Sequence, residues 1–206
     1  MRRVFAAALV TFLLAGCAPS VTDEDEPFIV PQVGPAKIDV DTPALRAQKK
    51  DAGIAACGPG SGHSELPAQS LPCLGGGKSV ALDGLSGPLI INLWASWCTI
   101  CRKEMPYYQA FHEAHGDQVP VLGIDYNDLH PDAAIQLLKE TGAKFPQLAD
   151  PQSVLGGRAL NVNPDRYLPL LVLIGADGKV ASVQAIQIHD VGDLEDLVRE
   201  HLGVDL

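Results

Sequence analysis

Two cysteines stand two residues apart, Cys98 and Cys101, in the stretch WASWCTICRKEMP at residues 94–106. Three chemistries suit such a pair: half of a zinc site, a structural disulfide, or a dithiol that cycles with its disulfide. Zinc needs two more ligands, and His112 and His115 have a suitable spacing on paper. If residues 98–115 form one helix, however, His112 lies roughly 16 Å beyond Cys101, whereas all ligands must stand within about 2.3 Å of one ion. No metal is therefore expected, and the two histidines read as helix-surface residues. A bond closing so short a loop removes little unfolded-chain entropy, so stabilisation alone is a weak reason for it. A dithiol opening a helix has a stronger one. The free N–H groups and the dipole of a helix N-terminus favour the thiolate, the nucleophilic form. Cys101, one turn in, is placed to reach back to the sulfur of Cys98.

The elements around the pair support that placement. Leu89–Leu93 is a short apolar run and predicts a buried strand immediately before the motif. A helix is predicted from Cys98 to about His115, and Val119–Asp125 reads as a second buried strand. His130-Pro131-Asp132 is a helix start signal, and Ala134, Leu137 and Leu138 follow at helical spacing, predicting a helix over Pro131–Thr141. Phe145–Leu148 reads as a short strand and residues 151–160 as a further helix. Leu170–Ile174, the turn Ala176-Asp177-Gly178 and Val180–Ala185 predict a hairpin. Asp193–Leu202 is amphipathic, with Leu194, Leu197, Val198 and Leu202 on one face. This order predicts an α/β domain: one mixed sheet, parallel in its first unit and closed by an antiparallel hairpin, with helices on both faces. Upstream, Pro43–Ala56 has helix-forming content, and residues 57–88 are rich in loop residues. Gly75–Ser79 (GGGKS) superficially suggests a phosphate loop, but Pro72 stands where that motif needs glycine.

At 206 residues and 47% hydrophobic content the chain can build one domain with a full core. A net charge of -10 repels nucleic-acid phosphates, so no nucleic-acid partner is expected. Arg2 and Arg3 precede the apolar run Val4–Ala15, which is too short to span a bilayer and has the layout of an export signal. Its end, Leu14-Ala15-Gly16-Cys17, resembles a lipoprotein signal-peptide box, which implies cleavage before Cys17 and lipidation of that residue. More than one acyl chain gives stable anchoring. The expected organisation is a signal peptide over residues 1–16 and a lipid anchor with a flexible acidic tether over 17–42. An N-terminal extension over 43–65 and the α/β domain over 66–206 follow. With Cys17 consumed by lipid, four cysteines remain, an even number that suggests two pairs in an exported protein. Cys57 and Cys73, in Gly/Pro-rich sequence, are expected to form a structural disulfide worth about 3 kcal/mol in the chain-entropy model. The alternative is a second redox pair that relays electrons from Cys98 and Cys101.

The Trp94-Ala95-Ser96-Trp97-Cys98-x-x-Cys101 motif after an apolar strand resembles the thioredoxin superfamily. Glu104, three residues past the second cysteine, and Pro106 sharpen the likeness to the TlpA/ResA-like (CcmG/DsbE-like) thiol–disulfide oxidoreductases of lipoprotein type. The resemblance covers about residues 66–206. It implies a thioredoxin-like fold with a TlpA/ResA-type strand–helix insertion around residues 125–150. It implies Cys98 as nucleophile, Cys101 as resolving cysteine, and Glu104 as the group that exchanges protons with Cys101 or tunes both thiols. Leu168-Pro169 matches the family's cis-proline, which faces the dithiol; with Trp97, Thr99 and Ile100 these residues are expected to contact substrate. Two positions depart from the pattern. Asn92 stands where thioredoxin proper has a buried Asp, and Tyr167-Leu168-Pro169-Leu170-Leu171 replaces the frequent Gly-x-Pro-x-Thr.

The function implied is reduction of disulfides in exported proteins, apocytochrome c among them, outside the cytoplasm at the lipid-anchored face of the bacterial membrane. Electrons would come from a CcdA- or DsbD-type membrane partner, and no cofactor is needed. Oxidative formation of disulfides in secreted proteins is the same chemistry reversed. A thiol peroxidase is a third reading, but the Pro-x-x-x-Thr/Ser-x-x-Cys motif of peroxiredoxins is absent, since Ile91 and Ala95 occupy its places. A non-catalytic metal-binding lipoprotein is the fourth; Sco-like copper carriers space their cysteines one residue wider.

Overall fold

The computed structural model describes residues 38–58, 60–156, 160, 162, 164 and 166–206. The expected signal peptide, Cys17 and the tether as far as residue 37 lie outside the described residues. In chain order the elements are α1 (Pro43–Ala52), β1 (Ser70–Leu71), β2 (Val80–Ala81), β3 (Leu89–Trp94), α2 (Thr99–His115) and β4 (Val121–Tyr126). They continue with α3 (Pro131–Thr141), β5 (Gln147–Asp150), β6 (Leu170–Ile174), β7 (Val180–Gln184) and α4 (Val191–Leu202). Among the described residues no helix is long and apolar enough to cross a membrane.

The main sheet runs β5-β4-β3-β6-β7. β3 pairs in parallel with β4, bringing Trp94 opposite Asp125, and β4 pairs in parallel with β5, bringing Gly123 opposite Gln147. β6 pairs antiparallel with β3 and turns into β7 through Gly175–Lys179. Gly178 closes that turn at φ +80, and a Cβ there would come within 2.2 Å of the His63 carbonyl oxygen. The outer edge of β5 is occupied by residues 72–74: Leu74 N–H donates to Gln147 O and Ala149 N–H to Pro72 O, both at 2.9 Å. β1 and β2 form a separate two-stranded ribbon.

β3 is buried on both faces, which is why it reads as an unbroken apolar run. Ile90 and Trp94 belong to one core, with Leu45 of α1, Met105, Tyr108 and Phe111 of α2, Leu137 and Leu138 of α3, and Leu194 and Val198 of α4. Leu89, Ile91 and Leu93 point the other way and pack with Leu66, Leu71, Leu82, Leu155 and Leu160. The α/β class with its strand–helix insertion, α3 and β5, is therefore present, but the helices are distributed differently from the expectation. All four α-helices of the described residues contribute to the first core. Among the described residues the second face is covered by the β1–β2 ribbon, the 3₁₀ turn Leu82–Gly84 and irregular chain. Chirality explains the first half of this. The strands β3, β4 and β5 step across the sheet in one direction, so right-handed crossovers set α2 and α3 on the same side.

The second half follows from the stretch expected to be a helix at residues 151–160. Its described part is turns, not helix. The Asp150 carboxylate accepts from Val154 N–H at 2.8 Å and Leu155 N–H at 2.9 Å, and Ser153 takes a left-handed φ of 56°. Side-chain capture of backbone donors and a left-handed residue end a helix before it begins.

Two boundaries also differ. α1 begins as its signals suggest, with Thr42 Oγ1 accepting from Leu45 N–H at 3.2 Å and Pro43 in the first turn. It stops at Ala52, because Gly53 supplies a left-handed cap at φ 70. The last residues of the expected tether are packed, not free: Val40 is buried, and its carbonyl accepts from Gly75 N–H at 2.9 Å.

Candidate active site

Cys98 is the N-cap of α2, with extended backbone at φ −84 and ψ 104. Its sulfur accepts from Cys101 N–H at 3.1 Å and is bonded to Cys101 Sγ, the two Cα atoms standing 5.3 Å apart. The capping atom of the helix is thus one of the two disulfide sulfurs. Opening the disulfide leaves the Cys98 sulfur at the positive end of the helix dipole with an N–H already aimed at it, which favours the thiolate. Cys101 is fully buried, while Cys98 retains 7% exposure. Of the two, Cys98 is the one open to solvent.

The neighbours divide into a covered and an open side. Trp97 (57% exposed), Ile100 and Thr99 are on the surface. The Leu168–Pro169 peptide is cis, Pro169 is buried and Leu168 partly so. A cavity of about 180 Å³ is lined by Ile100, Tyr167, Leu168, Pro169, Ile186 and Gln187. It brings Ile100, Leu168 and Pro169 together, whereas Trp97 and Thr99 stand outside it. Exposed Tyr167 and Ile186 make the rim apolar, so an extended peptide beside the disulfide would meet hydrophobic side chains.

Glu104, one turn beyond Cys101 on the same helix face, is fully buried. Its Oε1 accepts from Ile188 N–H at 2.8 Å, and its Oε2 has no partner among the described residues. Burial pushes its carboxyl up to about 7, against a smaller lowering by the Ile188 N–H. Tyr108, one further turn on, has its hydroxyl pushed well up by burial first and the Glu104 charge second. Asn92 lies under the same helix, buried, with Nδ2 3.9 Å from Met105 Sδ. An amide does not titrate, so Glu104 is the carboxyl on this side. His112 instead stacks at a tilt on Phe145, and His115 Nε2 lies 2.9 Å from Glu195 Oε1.

Three residues that the sequence did not single out hold the motif in place. Asp128 Oδ2 accepts from Ser96 N–H at 2.6 Å, and Oδ1 accepts from His130 N–H at 2.9 Å. Asp125 is buried nearby; burial first and then the charge of Asp128 push its carboxyl well up. Gln147 Oε1 accepts from the indole N–H of Trp94 at 3.0 Å. Gly123 makes room for this amide, since a Cβ there would lie 1.8 Å from Gln147 Oε1. The available signal was positional: Asp125 and Asp128 lie at the carboxyl end of a parallel strand, where sites in such sheets gather. Replacing Asp128 with alanine should orphan both N–H donors and destabilise the chain by about 1.5–3 kcal/mol. Asp128→Asn, which keeps an acceptor oxygen, should cost less; urea denaturation of both variants checks the order.

The second disulfide, Cys57–Cys73, joins the segment after α1 to the outer edge of β5, with Cα atoms 5.9 Å apart. It is a separate centre from the helix N-terminal pair.

Residues 63–183 match the AhpC/TSA family. The thiol-disulfide oxidoreductase ResA of Bacillus thuringiensis (strain Al Hakam) is 33% identical over 108 residues, which are 50% of this chain and 58% of that protein. ResA of Bacillus subtilis (strain 168) is 32% identical over 113 residues, 52% of this chain and again 58% of that protein. The chain thus spans little more than half the length of these relatives. Among solved structures, a secreted thiol-disulfide isomerase from Corynebacterium glutamicum superposes with a TM-score of 0.56 at 25% identity, covering 64% of this chain and 81% of that one. The domain has a thioredoxin-like fold.

Proposed function

Because the chain belongs to the AhpC/TSA family and is TlpA/ResA-like within it, we propose that it is a thiol–disulfide oxidoreductase with Cys98 as its nucleophile. The observation that carries the reading is the Cys98–Cys101 disulfide on the N-terminus of α2, its outer sulfur capped by an N–H and its inner sulfur buried one turn from Glu104. In the reducing direction, the Cys98 thiolate attacks a client disulfide. One client sulfur leaves as a thiolate and the other stays bonded to Cys98. Cys101 then loses its proton, attacks Cys98 Sγ and displaces the second client thiolate, leaving Cys98–Cys101 oxidised and the client with two thiols. Glu104, with a carboxyl near 7, is placed to take the Cys101 proton at the pH where the reaction runs. Trp97, Thr99, Ile100, Leu168 and Pro169 form the client contact surface.

In the fuller reading the domain is held by lipid on Cys17 through a tether at the outer face of the membrane. It reduces exported proteins, apocytochrome c among them, with electrons from a CcdA- or DsbD-type membrane partner. Peroxidase chemistry is disfavoured by Ile91 and Ala95, both buried side chains without a hydroxyl.

Replacing Cys101 with serine in the exporting cell should stall the reaction as a mixed disulfide on Cys98, and mass spectrometry of the trapped species names the client. If nothing is held through Cys98, the exchange reading fails. Alkylation of the unmodified protein in growing cells sets the direction: a largely oxidised Cys98–Cys101 pair would sink the reductase reading and favour the oxidase.

A further inference from the structure

The Cys57–Cys73 disulfide is built asymmetrically. Cys73 is 1% exposed, and the Nζ of Lys49, itself only 7% exposed, lies 2.9 Å from its sulfur. Among the described residues that ammonium has one other hydrogen-bond partner, the Gly76 carbonyl at 3.1 Å. Asp41 acts on it through space, but the Asp41 carboxylate is bonded to Arg46. A buried cation beside a neutral disulfide is under-compensated, and burial accordingly pushes the Lys49 amine down. Cys57, by contrast, is partly exposed, and its sulfur lies 3.2 Å from the Gln147 carbonyl oxygen. A disulfide sulfur has no proton to give that oxygen; a thiol has one.

Each sulfur therefore faces the partner that its reduced form needs. A cation stands ready for a thiolate at Cys73, and an acceptor stands ready for a thiol at Cys57. Exchange is fastest when the attacked sulfur is accessible and the leaving thiolate is stabilised. Here the accessible sulfur is Cys57 and the stabilised one is Cys73.

We propose that Cys57–Cys73 is a second redox-active disulfide, opened by a dithiol that attacks Cys57, with Cys73 leaving as a thiolate onto the Lys49 ammonium. The first reductant thiolate bonds to Cys57 Sγ as the Cys57–Cys73 bond breaks. The second reductant thiol, losing its proton, then attacks the first and releases Cys57, which takes up that proton. The reductant ends as a disulfide and the protein as a Cys57 thiol and a Cys73 thiolate. This inference does not rest on the reading of Cys98 and Cys101.

The test uses the full chain carrying Cys17→Ala, Cys98→Ser and Cys101→Ser, so that only this pair titrates. The pair is equilibrated with dithiothreitol redox buffers, and the reduced fraction is read by alkylation and mass spectrometry. With Lys49 present, the pair should reduce while circular dichroism stays native. Lys49→Gln should lower the equilibrium constant for reduction at least tenfold, about 30 mV for a two-electron couple. Lys49→Arg, which keeps a cation, should restore most of it. If Lys49→Gln fails to fold, thiolate absorbance at 240 nm in the reduced Lys49 protein at neutral pH decides: one thiolate supports the proposal and none overturns it. Reduction only on unfolding, or an equilibrium unchanged by Lys49→Gln, would also overturn it and leave a structural bond.

Discussion

Changing Cys98 to serine is expected to bring disulfide exchange down to background, a loss on the order of a thousandfold or more, without unfolding the domain. The substitution separates chemistry from structure because of where Cys98 sits. It is the N-cap of α2, and its sulfur accepts the Cys101 N–H. Serine is among the best N-cap residues, so its oxygen can take over that bond. What it cannot do is form a nucleophilic anion near neutral pH. The lost Cys98–Cys101 bond closes a very short loop and adds little stability of its own. Turnover of a model protein disulfide with dithiothreitol, measured beside far-ultraviolet circular dichroism, checks both halves. A folded Cys98→Ser protein that kept a substantial share of the rate would move the nucleophile elsewhere. Cys98→Ala should lose the rate and, in addition, about 1 kcal/mol of stability through the missing cap.

The second large effect is on pH dependence, through Glu104. Its carboxyl ordinarily titrates near 4.5, and in the folded oxidised protein it is raised to about 7 by burial. The folded state therefore holds a proton that the unfolded chain releases earlier. The stabilisation is complete below about pH 4.5, falls as pH rises, and is lost once pH passes about 7. At roughly 1.4 kcal/mol per pH unit the difference is about 3 kcal/mol. Glutamine keeps an oxygen for the Ile188 N–H but carries no charge to bury. Glu104→Gln should thus be more stable than the parent at pH 8, by up to about 3 kcal/mol, with the gain vanishing near pH 4. Urea unfolding of the oxidised protein across this range measures it. The same variant should lose the step near pH 7 in its rate of exchange. A stability gain that did not vary with pH would mean that Glu104 is not the titrating group.

The two effects show why the site was partly legible in the sequence. Cysteine spacing, an apolar strand before it and a helix after it are local features, and each maps onto an element: β3, the Cys98 cap and α2. The hairpin around Asp177-Gly178 and the helix opening at Pro131 were equally local. Asp128 and Gln147 were not legible, because their importance depends on register across strands that are distant in sequence. Gln147 reaches Trp94 only because β5 pairs with β4 and β4 with β3. The same burial of polar residues shifted the bounds of β5, expected at Phe145–Leu148 and found at Gln147–Asp150. Its Gln147 and Asp150 look like surface residues until their hydrogen bonds are known. The helix expected at residues 151–160 failed for a related reason: the Asp150 side chain competes for the backbone donors that a helix would use.

The segment 72–74 along β5 has a consequence for how copies of the domain meet. A sheet edge with free N–H and C=O groups is a template for another chain's strand. On the β5 side that template is already taken by a bridge from Cys73 to Leu148, and Pro72, lacking an N–H, gives a newcomer one donor fewer beyond it. The opposite edge is β7, five residues long and following an irregular register at Leu173/Ile174. Among the described residues, edge-to-edge association through the main sheet is thereby left to one short strand. The guard on the other edge is held covalently to the chain after α1 by Cys57.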